Sequence, residues 1–282
     1  MKNHLKSHFL TTKDYLVSGE EFSLLYDHEN EMLQTDPQPH KDNLRNYYNS
    51  TAYISHTDSH EGFVATLYQW VKKRALRKKT ALITTLNFGP GKLLDIGAGT
   101  GEFLLSAKKK GWKVNGVEPN NKARILASAK GIELIKTLEE IKGNSYHVIT
   151  LWHVLEHLPD LKETIQSIER LLITEGILII AVPNFKSYDA KYYKKYWAAY
   201  DVPRHLWHFS RKSMRILFSE KLKLKKINPL VFDSFYVSLL SEKNKTGSSF
   251  FFKAFFIGLW SNILAWRTKE YSSLIYCYKK VK

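Results

Sequence analysis

Between Lys92 and Asn184 the chain alternates short apolar runs with helix-spaced segments, and this alternation restricts the fold more than any other feature. "KLLDI", "KVNGVEP", "IELI", "YHVITLW" and "GILIIAVPN" read as strands. "GEFLLSAKKKG", "NKARILASAKG" and "DLKETIQSIERLL" read as the helices among them. A helix between two strands carries the chain back to the edge where the first strand began, so the strands pair in parallel and both sheet faces are covered. Right-handed crossovers make the result an α/β, doubly wound sheet. Gly111, Gly131 and Gly176 stand where helices are predicted to stop.

Around this core, residues 91–184, the reading places three other segments. Residues 1–62 are polar, with a loop at "TDPQPHKDN" and aromatics in "NLRNYYNSTAY", and read as an N-terminal extension of mixed structure. Residues 63–90 read as a leading helix with Phe63, Leu67, Trp70 and Val71 on one face. Residues 185–282 complete the sheet through "LKLKKINPLVF" and "YSSLIYCYKK" and supply a helical, aromatic cap. The cap's most apolar run, Phe250 to Trp266, is short of the roughly 20 residues a spanning helix needs. Lys253, Ser261 and Asn262 interrupt it, and Lys253 or Ala254, Gly258, Ser261 or Asn262, and Ala265 form a narrow small-or-polar stripe opposite a broad apolar face. It reads as a buried cap helix or one lying on a membrane surface, with no transmembrane segment.

The chain carries 43 Lys and Arg against 27 Asp and Glu, a net charge of +16. From Lys186 onward there are 20 basic and 6 acidic residues, so nearly all of the excess belongs to the C-terminal third. Such a field attracts an anionic small molecule, a nucleic acid or an anionic membrane; the plain alternative is a solvated lysine surface. Lysines interleaved with aromatics, as in "KYYKKYWAAY", suit an amphiphilic anion or a membrane-surface substrate better than RNA, for which no binding module is recognisable. Cys277 is the sole cysteine, which excludes a disulfide framework and argues against a cysteine-based zinc site. No apolar stretch of signal-peptide length opens the chain, so the expected location is cytoplasmic.

The first strand ends in "DIGAGTGEF", a nucleotide-binding turn. A dinucleotide fingerprint needs glycine where Glu102 stands, and a carboxylate there repels a pyrophosphate. A phosphate loop needs a lysine after Gly101, and there is none. Asp95, at the strand end, also repels phosphate. S-adenosylmethionine has no phosphate and carries two positive groups, so an acid near the turn suits it. Glycines let the backbone approach the ligand closely, and Glu118 at the end of the second strand is placed to hold ribose hydroxyls.

With these residues in view, "LLDIGAGTGEFLLSAKKKGWKVNGVEPN", "YHVITLWHVLEHLPD" and "GILIIAVPN" resemble the class I S-adenosylmethionine-dependent methyltransferases, in the branch that includes the ubiquinone-pathway O-methyltransferases. The resemblance covers roughly Gly91 to Asn184 and extends more loosely through "DVPRHLWHFS". It implies a seven-stranded sheet with an antiparallel last strand, and S-adenosylmethionine as cofactor. It also implies that Asp95, Gly97, Ala98, Gly99 and Gly101 line the methionine end, that Glu118 holds the ribose, and that Thr137 and Leu138 border the adenine. Leu151 and Trp152 would face the cofactor. The implied activity is methyl transfer to a small-molecule acceptor, such as a hydroxyl of an aromatic, isoprenoid or lipid-linked compound. The alternatives are an RNA or protein methyltransferase using the basic face, or a cofactor-binding adaptor without turnover.

Transfer to oxygen usually needs a general base as well as alignment, and histidine is the commonest one. Two clusters supply candidates. His153, Glu156 and His157 form H-x-x-E-H, also the letters of an inverted zinc-protease motif, but here the motif closes a strand of a methyltransferase-like sheet. A divalent cation there, or plain bracing of the turn, are the competing readings. In "YDVPRHLWHFS", His205 is the preferred base, with His208 nearby and Arg204 read as an acceptor-anion or surface residue. His205, His157 and His153 are therefore the catalytic candidates, and no metal site is assigned.

Overall fold

The computed structural model describes residues 5–48, 63–141, 143, 146–248 and 250–282. Three antiparallel strands come first: β1 (Lys6–Lys13), β2 (Glu21–Asp27) and β3 (Met32–Asp36). Phe22, Leu24 and Leu33 are buried beneath them. Helix α1 (Phe63–Leu86) follows; the apolar face predicted through Phe63, Leu67, Trp70 and Val71 lies outside the described side chains.

The central sheet then begins with β4 (Lys92–Ile96), α2 (Glu102–Lys108), β5 (Lys113–Val117) and α3 (Asn121–Ser128). It continues through β6 (Tyr146–Trp152), α4 (Leu161–Leu171) and β7 (Leu172–Pro183). The last parts are α5 (Tyr188–Tyr193), β8 (Trp207–His208), α6 (Arg211–Ile216), β9 (Leu222–Pro229), α7 (Asp233–Thr246), α8 (Phe251–Thr268) and β10 (Ser273–Lys280). The strand order is β5-β4-β6-β7-β10-β9. β5, β4, β6 and β7 run in parallel, and β10 is antiparallel to both β7 and β9. This is the expected doubly wound sheet with one correction. Where a short third strand was predicted at "IELI", the structure has a single parallel bridge from Ile135 to Val117, which leaves six strands in this sheet among the described residues.

Val148, Ile149, Leu151 and Leu178 through Ala181 are all fully buried, as a sheet covered on both faces requires. On one face α4 buries Leu161, Ile165, Ile168 and Leu171, one side of a helix. On the other, Leu104, Ala107 and Ala127 pack with Leu93 and Ile179. Gly111 and Gly131 adopt the left-handed backbone after α2 and α3, as predicted for helix stops. Gly176 does not. α4 ends at Leu171, and the ladder jumps from Tyr146–Leu172 to Val148–Ile177, with the positive φ carried by Glu175. Gly176 is small because an added Cβ would sit 2.8 Å from the carbonyl of Ile173.

The N-terminal strands join a second sheet, ordered β1-β2-β3-β8. β8 pairs Leu33 with His208, and the Thr35 N–H donates to the Leu206 carbonyl at 3.1 Å. The same junction holds Arg204, which is neither on the surface nor free for an acceptor. Its guanidinium is buried, 2.8 Å from Asp14 and 2.7 Å from Asp201, and it also donates to the Tyr47 carbonyl. Asp189 in α5 is equally buried and accepts from Trp197, Ser261 and Ser272, locking α5, α8 and the start of β10 together.

Candidate active site

The first half of the site is the turn from β4 into α2. Gly97, Gly99 and Gly101 all have φ between 54° and 72°, a backbone that side chains with a Cβ rarely adopt. Their surroundings differ. A Cβ on Gly97 would lie 2.3 Å from Val154 Cγ2, and one on Gly101 would meet Ala127 and Ile132. A Cβ on Gly99 would meet nothing within 4 Å, so its backbone faces open space. The N–H groups of Gly97 and Ala98 both donate to the Val117 carbonyl, which pins the turn to the end of β5.

Two acids flank that opening. Glu118 accepts from the N–H of Gly99 at 2.9 Å and from that of Asn120 at 2.8 Å. Asp95 is buried at the end of β4 and accepts from Thr150 Oγ at 2.6 Å. Burial pushes its carboxyl up to about 7, against the pull of Thr150 and Lys79. Lys79 lies 4.3 Å from the centre of the Trp152 ring. Burial draws its ammonium down, while Asp95 and Asp233 act the other way. Trp152 also stands edge-on to Phe103, and its indole nitrogen is buried without a hydrogen-bond partner. A backbone cradle with two carboxylates fits a phosphate-free, cationic ligand and repels an anionic one.

The second half is the turn after β6, which touches the first through Val154 and Gly97. His153 has φ +57° and sits between Glu156 at 3.4 Å and Asp233 at 3.3 Å. Burial opposes its charge, but the two carboxylates outweigh it and push the imidazole up to about 9. Glu156 is buried, and neither of its carboxylate oxygens has a hydrogen-bond partner. Burial disfavours its charge, yet His153, His205 and His157 together hold it below the usual carboxylate range.

His157 and His205 meet edge-to-face with ring centres 4.5 Å apart. His157 Nδ1 lies 3.0 Å from the Arg204 carbonyl and 3.0 Å from the Tyr48 hydroxyl. His205 Nδ1 lies 2.9 Å from the Ala199 carbonyl. A carbonyl only accepts, so both Nδ1 atoms donate; neutral His157 keeps Nε2 as an acceptor, and His205 Nε2 lies 3.9 Å from an Asp201 carboxylate oxygen. Burial and the neighbouring His205 push His157 down to about 4, so it is neutral at physiological pH. Ligand-type atoms of Glu156, His157 and His205 all lie within 4.8 Å of one another.

A family model described as a methyltransferase domain matches residues 51–221. The chain belongs to the class I S-adenosylmethionine-dependent methyltransferases. Among curated proteins, this methyltransferase is similar to the ubiquinone biosynthesis O-methyltransferase of Actinobacillus pleuropneumoniae serotype 7 (strain AP76). The two are 33% identical over 107 residues, 33% of this chain and 46% of that protein. The enzyme of the same name from Cronobacter sakazakii (strain ATCC BAA-894) is 32% identical over 103 residues, 33% of this chain and 42% of that protein. The chain thus spans less than half the length of these relatives.

Two solved structures share the fold at low identity. One is geranyl diphosphate C-methyltransferase from Streptomyces coelicolor A3(2), in complex with Mg2+, geranyl diphosphate and S-adenosyl-L-homocysteine. It gives a TM-score of 0.55 at 14% identity, covering 86% of this chain and 97% of that one. The other is magnesium protoporphyrin IX methyltransferase from Synechocystis PCC 6803 with bound S-adenosylhomocysteine. Its TM-score is 0.54 at 17% identity, covering 86% of this chain and all of that one. S-adenosylmethionine is the methyl donor of this family.

Asp95, Gly97, Ala98, Gly99 and Gly101 lie on one turn, Glu118 is bonded to it at Gly99, and Trp152 stands against Phe103 just beyond it. Thr137 and Leu138 follow the Ile135 bridge, with Thr137 capping the turn Leu138–Glu140 at the sheet edge beside Glu118. Leu151 is placed differently: its side chain is fully buried in the core, and only its backbone reaches the strand end. His205 and His157 come together. His153 stands apart from them and is held as a cation by its carboxylates, so it is not a proton acceptor at neutral pH. Lys79 and Asp233 were missed by the sequence reading. Lys79 stands in the helix just before β4 and Asp233 in α7, 80 residues after His153, and no local motif marks either.

Proposed function

We propose that this chain transfers the methyl group of S-adenosylmethionine to a small-molecule acceptor, a hydroxyl of an aromatic, isoprenoid or lipid-linked compound. The cofactor supplies an electrophilic methyl on a sulfonium. The observation that supports the reading is the packing of Val154 against Gly97, which sets the turn that carries Glu156 and His157 beside the glycine turn.

The chain's own residues then have distinct roles. Gly99 leaves room for close backbone approach, Glu118 accepts hydrogen bonds from ribose hydroxyls, and Asp95 offers negative charge to the methionine ammonium. His205 Nε2 takes the acceptor's hydroxyl proton. Neutral His157 and ionised Glu156 stabilise the imidazolium that results. Calorimetric titration with S-adenosylmethionine, S-adenosylhomocysteine and NADH tests the cofactor half: micromolar binding of the sulfur ligands and none of NADH is expected. A screen of phenols with and without apolar tails, read by mass spectrometry, tests the acceptor half. Methylation of RNA but of no small molecule would overturn it.

One observation favours a second reading of the same cluster. Glu156 keeps two buried oxygens without hydrogen-bond partners, and one ligand-type atom each of Glu156, His157 and His205 lie within 4.8 Å of one another. That donor set suits a divalent ion such as zinc. Loss of activity on chelation, restored by one added metal, would favour the ion over the free base.

A further inference from the structure

α8 is built inside out for a helix of a water-soluble surface. Its stripe of Ala254, Gly258, Ser261 and Ala265 is buried against the protein, and its broad apolar face points to solvent. The contact on the buried side is tight. A Cβ on Gly258 would lie 2.9 Å from the Cα of Phe235 in α7, and Ser234 Oγ donates to the Gly258 carbonyl at 3.0 Å. Asn262 donates to Ser234 Oγ and to the Val231 carbonyl, and Ser261 donates to the buried Asp189. The orientation of the helix is therefore fixed by small and polar residues, and it cannot roll its aromatic face inward.

On the outer face, Phe252 is 79% exposed and Trp266 67%, with Phe256, Leu259, Trp260 and Ile263 also open between them. At 18 residues the helix presents an apolar strip about 27 Å long. Phe232 and Tyr236 at the start of α7 extend it. Monomeric proteins rarely leave such a contiguous patch uncovered.

We propose that this face docks in the headgroup region of an anionic lipid bilayer, with α8 lying in the membrane plane. Charge selects the occupant. The segment from Lys186 onward has 20 basic and 6 acidic residues, and Lys243, Lys245, Arg267 and Lys269 lie exposed at the ends of α7 and α8. A second copy would bring a net +16 against a net +16. A nucleic acid would meet the cations but leave the aromatic strip in water. An anionic bilayer satisfies both, since aromatic and leucine side chains enter the interface while lysine and arginine attract its headgroups. No helix among the described residues is long and apolar enough to cross a membrane, which leaves the in-plane arrangement. Asp233 at the start of α7 contacts His153, so the docked face adjoins the candidate active site and brings a membrane-dissolved acceptor close to it.

The test is sedimentation of the full chain with vesicles of phosphatidylcholine, with and without phosphatidylglycerol. Combined Phe252→Ser, Phe256→Ser and Trp260→Ser should weaken binding to the anionic vesicles by about tenfold or more. These residues are exposed, so circular dichroism and S-adenosylhomocysteine affinity should be unchanged. Wild-type protein should also show a blue shift of tryptophan emission on anionic vesicles. The proposal is overturned if wild-type protein stays in the supernatant with both vesicle types. It is equally overturned if the wild type is a dimer that the triple variant breaks while neither sediments. Both readouts are independent of methyl transfer.

Discussion

The glycine turn and the histidine cluster touch at Val154, yet they are assembled in opposite ways. The turn is local: Asp95 through Glu118 is one strand, one helix and one strand, and its geometry is closed by bonds to Val117. The cluster is remote: His157 and His205 are 48 residues apart, Tyr48 reaches His157 from the N-terminal region, and Asp14, just after β1, holds the neighbouring Arg204. A site built locally is durable and reads the cofactor common to the family. A site built from distant parts depends on the whole molecule being folded.

The comparison can be broken at several points. The largest expected effect is Gly99→Arg, which fills the open side of the turn. S-adenosylhomocysteine affinity measured by calorimetry should fall by more than about a hundredfold, with melting lowered only by about 2–4 °C for the strained backbone. Unchanged affinity would move the cofactor elsewhere. Next, His205→Ala should cut kcat by about 10²–10⁴ once an acceptor is found, with cofactor affinity within about twofold. A rate equal to wild type would remove His205 from proton transfer.

Arg204→Met tests the remote construction. It leaves Asp14 buried without its cation, so stability should drop by about 3–5 kcal/mol in denaturant unfolding. Adding Asp14→Leu should recover part of the loss, and no recovery would mean the ion pair is not the cause. The smallest effect concerns Asp95. A cationic ligand beside it favours the ionised carboxylate, so binding below about 7 must release a proton. Affinity for S-adenosylmethionine should weaken as pH falls from about 8 to about 6, by up to about tenfold, and Asp95→Asn should flatten that slope. His153 at about 9 and His157 at about 4 titrate outside that window.

The local half of the molecule was legible in the sequence because its signals are local. Apolar runs bounded by glycine, and an aspartate before the turn, fix a strand, a helix and their junction within a few residues. The N-terminal sheet was not legible. β1 is mostly exposed, so it lacks an alternating buried face, and β8 contributes only two residues from the other end of the chain. Arg204 looked like a free cation because its two carboxylate partners are invisible to spacing: one is three residues away, the other 190. Gly176 misled because a glycine after a helix usually ends it, whereas here the chain passes straight into β7 and loops at Glu175. Cys277 is buried in β10, and burial pushes its thiol up to about 12.

The Arg204–Asp14 pair also sets an order of events during synthesis. Asp14 leaves the ribosome 190 residues before the cation that neutralises it, and β3 waits almost as long for β8. That N-terminal segment therefore completes its contacts only once residues 204–208 are made. Until then β3 lacks β8, Asp14 lacks Arg204, and the histidine cluster lacks His205. The nascent chain holds the whole glycine turn well before it holds the whole histidine cluster, which orders the two in time as well as in space.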